Sequence, residues 1–252
     1  MESLDMSTGF GWISHEYVQS RGGAGRISAL ADLIDPYLCR DGIVVELGTG
    51  PGQLAARLTT ATRRVVGVDI SPEMIRLASP ILDGNAVEAD VEHLPFDAET
   101  FDGAIAVWVL NHVADPRRAL SEARRVLRPG ARMFYLSGIP SHPEWDVIGS
   151  LLQRLDVVRA DRVERETAIV SLAESCGFRV VTAGDMVVKF SQRPDGMADR
   201  IATRSYGHLR DLDEETWATI VQPVVDELRR MDDHDRHRNR QNIHAFAVFE
   251  RM

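Results

Sequence analysis

Cysteine is scarce in this chain, with Cys39 and Cys176 alone among 252 residues. Two thiols so far apart make no disulfide framework and show no metal-ligand spacing, so both read as small buried hydrophobes of a reducing compartment. Long apolar runs are missing too. No stretch reaches the roughly 18 residues that a membrane helix needs, and the N-terminus, MESLDMSTGF, lacks the basic and apolar regions of a signal peptide. The sequence therefore predicts a cytoplasmic protein with no membrane partner. Positive charge is short as well: 29 Lys and Arg stand against 38 Asp and Glu, a net charge of −9. Affinity for phosphate backbones comes largely from Lys and Arg, which argues against nucleic acid as a partner. The basic cluster Arg117, Arg118, Arg124, Arg125 and Arg128 alternates with Ala119, Leu120, Ala123, Val126 and Leu127 at helical spacing, as the solvated face of an amphipathic helix does.

What is present is an ordinary globular composition, 44% hydrophobic and 27% charged, with enough length for one large domain or a domain with a modest insertion. The first half alternates strand and helix signals. Strands are expected at 43–47, 64–69, near 85–90, near 103–108 and at 132–137, with helices over 52–60, from Ser71-Pro72 onward and over 116–128. Such alternation implies βαβ units with right-handed crossovers and a parallel sheet covered on both faces, which binds ligands at the carboxyl ends of its strands. Beyond Gly138 the pattern loosens. An apolar stretch from Val147 to Val158 reads as a helix over the site, 164–176 as a helix, 178–186 as a strand, 191–241 as polar and helix-prone, and 245–249 as a closing strand. The expected organisation is an N-terminal cap (1–30), a ligand-binding core (40–138), a lid with insertions around a late strand (139–241) and a closing strand (245–250).

The central motif is Glu46-Leu47-Gly48-Thr49-Gly50-Pro51-Gly52, directly after the first strand. Glycines let the backbone turn tightly and approach a ligand, and the following helix N-terminus offers free amides. A dinucleotide loop would place its third glycine at position 53, where this chain has Gln53, which disfavours a nicotinamide oxidoreductase. The observed spacing suits a zwitterionic amino-acid tail better than a pyrophosphate. Asp69 ends the second strand, 21 residues after Gly48, where a carboxylate accepts hydrogen bonds from ribose hydroxyls. Asp90, after the third strand, is placed to read an adenine amino group, with the Val91 amide facing a ring nitrogen; an acidic strand end of no special function is the competing account.

The stretches VVELGTGPGQLA, VVGVDISPEMI and ADVEHLPFDAETFDGAIAVWVLNHVADPRRALSEARRVLRPGAR resemble class I S-adenosylmethionine-dependent methyltransferases of the ubiquinone/menaquinone-biosynthesis type, which act mostly on small molecules. The resemblance is strong over residues 43–137. It implies an α/β, Rossmann-like, seven-stranded and mostly parallel sheet with helices on both faces, an antiparallel last strand and a helical lid. It implies S-adenosyl-L-methionine as cofactor, with Gly48, Gly50 and Gly52 along its methionine and ribose part and Glu46 toward the methionine amino group. Asp69 would take the ribose hydroxyls, Ile70 and Met74 the faces of the adenine, Asp90 and Val91 its edge, and Trp108 the methyl-donor region. An N-terminal segment folds over the cofactor in relatives, which points Tyr17 or Arg21 at its carboxylate. Two departures stand out: Thr49 replaces a common cysteine or alanine, and Asn111 a common histidine.

Methyl transfer from a sulfonium is an in-line displacement, so positioning carries much of the catalysis, and a base is needed only for a protonated nucleophile. The candidates for a base or orienting donor are His112 and His142, in loops after the fourth and fifth strands; packing at the pocket edge is the alternative for each. His234, His237 and His244 lie in or near a strongly charged stretch that reads as solvated, and no metal site is expected. The expected partner is a small molecule, methylated at oxygen, nitrogen or carbon, and the protein a monomer or homodimer. A cofactor-binding protein of the same fold that performs a dehydration or pericyclic step is the alternative.

Overall fold

In the computed structural model, the structure describes residues 23–138, 140–159, 168–206, 209 and 212–252. Helix α1 (Gly23–Ile34) precedes β1 (Gly42–Leu47), α2 (Gln53–Leu58), β2 (Arg63–Asp69), α3 (Pro72–Ile81), β3 (Ala86–Glu88), β4 (Phe101–Val107), α4 (Pro116–Val126) and β5 (Leu127–Leu136). There follow α5 (Val147–Gln153), α6 (Ile169–Ser175), β6 (Phe178–Gln192), α7 (Pro194–Ala202), α8 (Glu214–Thr216), α9 (Gln222–Arg230) and β7 (Arg238–Arg251), with a π-helical turn at Trp217–Val221 between α8 and α9. The strands form one seven-stranded sheet ordered β3-β2-β1-β4-β5-β7-β6. β1 pairs in parallel with β2 and β4, and β7 runs antiparallel to both β5 and β6. The expected α/β fold with an antiparallel last strand is the observed one.

Local chemistry explains the elements. The last four residues of β1 are all buried, the mark of a strand covered on both faces. Ser71 caps α3 by accepting from the Met74 amide at 3.4 Å, and Asp115 caps α4 by accepting from the amides of Arg117 and Arg118. On α4 the buried residues are Ala119, Leu120, Ala123 and Val126, with the arginines outside, as the pattern predicts. One apolar core packs α4 and α6 on one face of the sheet; a second packs α1, α2 and α3 on the other.

Four boundaries differ from expectation. Helix α4 stops at Val126, because Leu127 is already extended and pairs with Phe101. The helix expected over 147–158 is α-helical to Gln153 and 3-10 from Arg154. Of the helix expected over 164–176, residues 164–167 lie outside the described residues, and α6 covers Ile169–Ser175. Strands β6 and β7 are far longer than expected, reaching Gln192 and starting at Arg238. Their extensions pair with each other beyond the carboxyl edge of the other strands, so a two-stranded ribbon rises above the sheet. Residues 238–241 looked like part of a helical lid because they are polar. Inside a ribbon that polarity alternates between faces, a period of two that charge alone does not reveal. Between the two strands, α7 and α9 pack with α5 into a third apolar cluster containing Ile148, Met197, Ile201, Val224 and Leu228.

The ribbon is fastened to the loop before α5 by a buried ion pair. Arg240 donates Nε to both oxygens of Asp146, at 3.1 and 3.0 Å, and Nη1 to Gln192 Oε1 at 2.7 Å; the two charged side chains are 1% and 3% exposed. Asp146 also accepts from the Gly149 amide, capping α5. Breaking such a pair strands a charge away from water. Arg240→Leu is expected to cost about 3–5 kcal/mol in urea unfolding. The double variant Arg240→Leu/Asp146→Leu should be less destabilised than the sum of the singles by about 2 kcal/mol or more, and simple additivity would show that the pair is not coupled.

Candidate active site

The glycine loop joins β1 to α2 through three left-handed residues, Gly48, Gly50 and Gly52, with φ of 68°, 55° and 81°. At Gly48 space is limiting as well as φ: a Cβ there would lie 2.5 Å from Val109 Cγ2, in the loop after β4. At Gly67 on β2 a Cβ would meet Thr49 at 2.7 Å, so the missing side chain makes the room in which Thr49 sits. Thr49 in turn donates its hydroxyl to Glu46 Oε2 at 2.6 Å, and its amide bonds Val68 O at 2.8 Å. The change from the common cysteine or alanine to Thr49 thus adds a hydrogen bond to the acidic residue of the motif.

Two carboxylates stand in this frame. Glu46 is 3% exposed, and burial pushes its pKa up to about 8 against the pull of the Thr49 hydroxyl and the Ala55 amide. Asp69 closes the other side, with Oδ2 accepting from the Gly50 amide at 2.8 Å and Oδ1 from the Ser71 amide at 2.9 Å. Burial raises its pKa too, opposed by those amides. Asp69 therefore ties the glycine loop to the start of α3. A buried acid with a raised pKa, next to a second carboxylate, suits a cationic group that would replace the proton.

The rest of the predicted set surrounds this frame. Ile70 is half-buried and Met74 fully buried on α3. Asp90 lies two residues past β3 with a 40% exposed side chain; its Oδ1 accepts from the Glu92 amide at 2.9 Å. Val91 is buried. Glu92 holds the loop after β4 by accepting from the amides of Ala114 and Asp115 at 2.8 and 3.0 Å. Trp108 follows β4 with φ of 57°, a conformation that bulky residues rarely adopt and that surrounding packing must enforce. Its ring lies 5.5 Å from that of His244 and under the guanidinium of Arg26, 4.6 Å away. Tyr17 and Arg21 lie outside the described residues.

The two histidine candidates occupy different surroundings. His112 is half-buried, with Nε2 3.4 Å from Asn111 Nδ2. His142 is not in an open loop: its side chain is 3% exposed, packs against Gly149 at the start of α5, and has Nδ1 3.9 Å from Asp146 Oδ2. Of the three later histidines, His234 and His237 are exposed, but His244 is buried on β7 and bonds Ser137 O through Nδ1 at 2.8 Å. Among the described residues no three such groups are placed to hold a metal. The two thiols, expected buried, are half-buried, and burial raises the pKa of Cys39.

Sequence reasoning did not single out Arg26, Arg240 or Asn242, and it placed His244 in or near a solvated stretch. The last three alternate along one face of β7 and are 2%, 7% and 2% exposed. Residues 238–242 are all polar, so the sequence carried no alternation that would have marked this face.

Comparison with known proteins agrees with this geometry. Residues 45–135 match a family model described as a methyltransferase domain. The chain is 36% identical over 129 residues to the ubiquinone/menaquinone biosynthesis C-methyltransferase UbiE of Syntrophotalea carbinolica, covering 48% of this chain and 54% of that protein. It spans about half the length of the curated relatives it matches. Among solved structures it is similar to the [4+2]-cyclase SpnF, with TM-score 0.56, 20% identity and coverage of 89% and 81%. It is also similar to a geranyl diphosphate C-methyltransferase from Streptomyces coelicolor A3(2), solved with Mg2+, geranyl diphosphate and S-adenosyl-L-homocysteine, with TM-score 0.53, 16% identity and coverage of 89% and 80%.

The raised pKa of Glu46 carries a pH signature. A group protonated when folded and ionised when unfolded contributes stability that is fully present below its unfolded value, near 4.5, and lost as pH rises through its folded value of about 8. In the ligand-free protein, wild type should lose stability relative to Glu46→Gln by up to roughly 1.4 kcal/mol per pH unit across that window. Parallel stability curves for the two proteins between pH 5 and 8 would show that Glu46 stays ionised. Over residues 45–135 the chain matches a methyltransferase domain, and its seven-stranded sheet and glycine-loop site have the layout expected of one.

Proposed function

We propose that the protein transfers a methyl group from S-adenosyl-L-methionine to oxygen, nitrogen or carbon of a small-molecule acceptor in a biosynthetic step. The observation that carries this reading is the Glu46–Thr49–Gly67 and Asp69–Gly50 frame, where a buried and a half-buried carboxylate flank a loop whose glycines leave room for a ligand. The donor set fits the cofactor: the loop amides and Glu46 for its amino-acid end, Asp69 for its ribose hydroxyls, Asp90 and Val91 for its adenine edge, Ile70 and Met74 beside its ring, and Trp108 near its sulfonium. When bound, it supplies an electrophilic methyl group. The chain positions the acceptor against that group and excludes water, work for which the ribbon and the helical cluster above the carboxyl edge are suited. His142 and His112 stand as the candidates for proton acceptance, with His142 Nδ1 3.9 Å from Asp146 Oδ2. Small-molecule acceptors fit a net charge of −9 and a described structure without a helix long and apolar enough to cross a membrane.

A non-methylating reaction on the same cofactor-binding frame is the second reading, favoured by the similarity to a [4+2]-cyclase. An assay following radiolabelled methyl from cofactor to product separates the two.

Calorimetry with S-adenosylmethionine and S-adenosylhomocysteine tests the cofactor site. Micromolar binding is expected in wild type, with a loss of about 100-fold or more in Asp69→Ala, where hydrogen bonds to the ribose and the hold on the loop both go. Binding to wild type near pH 7 should release up to one proton as a ligand ammonium displaces that of Glu46. Its affinity should rise with pH toward about 8. Absence of binding by either ligand would overturn the proposal.

A further inference from the structure

Polar side chains buried on a protein face find partners, because an unmet acceptor away from water costs stability. Asn242 departs from this. It is 7% exposed, and its Oδ1 is buried without a hydrogen-bond partner among the described residues. Asn242 sits mid-ribbon on β7, opposite the buried Val188 of β6, and shares its face with Arg240 and His244 on either side. Each flanking position is about 7 Å along the strand. Both ends of this row are fixed by aromatic rings: His244 lies against Trp108, and Arg240 over Phe190 at 5.3 Å. The guanidinium of Arg26 on α1 lies 4.6 Å from the Trp108 ring and 4.8 Å from that of Phe190, so α1 spans the row across from Asn242. The amide thus faces inward between two aromatic rings, on the side of the sheet where Trp108 leaves β4. A second carboxamide oxygen, Asn111 Oδ1, is also buried without a partner, against Gly138 at the end of β5.

From this arrangement we infer that Asn242 is a specificity residue for the acceptor: its Oδ1 accepts a hydrogen bond from a hydroxyl or N–H on an aromatic ring that takes the place of the Arg26 guanidinium beside Trp108 and Phe190. That oxygen has no hydrogen-bond partner among the described residues, and an ether or hydrocarbon in the same place would leave it unmet. Sites built in this way reject a ligand lacking the donor more strongly than apolar pockets reject a misfit methyl. The inference rests on the methyl-transfer reading of this edge of the sheet, and its test separates the two.

The probes are phenol and its methyl ether, anisole, titrated by ligand-observed NMR into wild type and Asn242→Leu, with and without saturating S-adenosylhomocysteine. Wild type should bind phenol about tenfold or more tighter than anisole. In Asn242→Leu the ratio should fall to about one, while S-adenosylhomocysteine binds both proteins equally and the ligand-free melting temperature stays level or rises. A wild type that does not prefer phenol, a preference that survives the substitution, or a variant that melts lower or fails to fold would overturn the assignment. Failure of S-adenosylhomocysteine to bind wild type would instead sink the cofactor reading, with the phenol preference of the ligand-free protein still deciding the role of Asn242.

Discussion

The structure depends on one close approach, between the loop after β1 and the backbone of β2. A side chain at Gly67 would collide with Thr49, so the loop reaches its position only because β2 has no Cβ there. From that contact follow the Thr49 hydroxyl on Glu46, the Thr49 amide on Val68 and the Gly50 amide on Asp69. The first and last of these bonds each fix a carboxylate whose charge is costly at that depth. The burial that gives Glu46 a pKa of about 8 is the burial that makes the site ready for a cation. Under the proposed function, the stability given up in the ligand-free protein is what a positively charged ligand recovers, a common trade at functional sites.

The second constraint is the ribbon formed by β6 and β7. Among the described residues, beyond the carboxyl edge of the other strands these two pair with each other, joined by a bridge between Ser141 and Ile243 and by the Ser137 amide on Ala245 O, and a two-stranded ribbon alone is marginally stable. The Arg240–Asp146 pair, α1 packed on the inner face of β6, and the helical cluster of α5, α7 and α9 hold it in place. This gives the site a wall whose polar residues sit on a sheet rather than a loop. Rigid placement favours directional hydrogen bonding over loose apolar contact.

Much of this was legible beforehand. The glycine spacing and the alternation of β and α signals identified the sheet and the loop, and put Glu46 and Asp69 at the ends of β1 and β2, because each is a local pattern dictated by backbone geometry. Other features were not. The polar stretch from Arg238 to Gln241 resembled a solvated helix, since a charged residue becomes a buried one only when a partner arrives from elsewhere, here Asp146, 94 residues away in sequence. His244, set beside a charged run, is buried for the same kind of reason: its partner Ser137 belongs to another part of the chain. His142 looked free in its loop, and only the packing of Gly149 and Asp146 shows it enclosed.

By itself the sequence determined the order of the elements, the class of sheet and the chemistry of the loop after β1. These rest on hydrophobic periodicity, helix caps and positions that only glycine fills, all of which act over a few residues. Tertiary structure decided which charged groups are buried, how long the last two strands run and which side chains pack against Trp108. Those outcomes depend on pairings between distant segments, where the burial of a polar group is settled by the partner it meets and not by its neighbours in the chain.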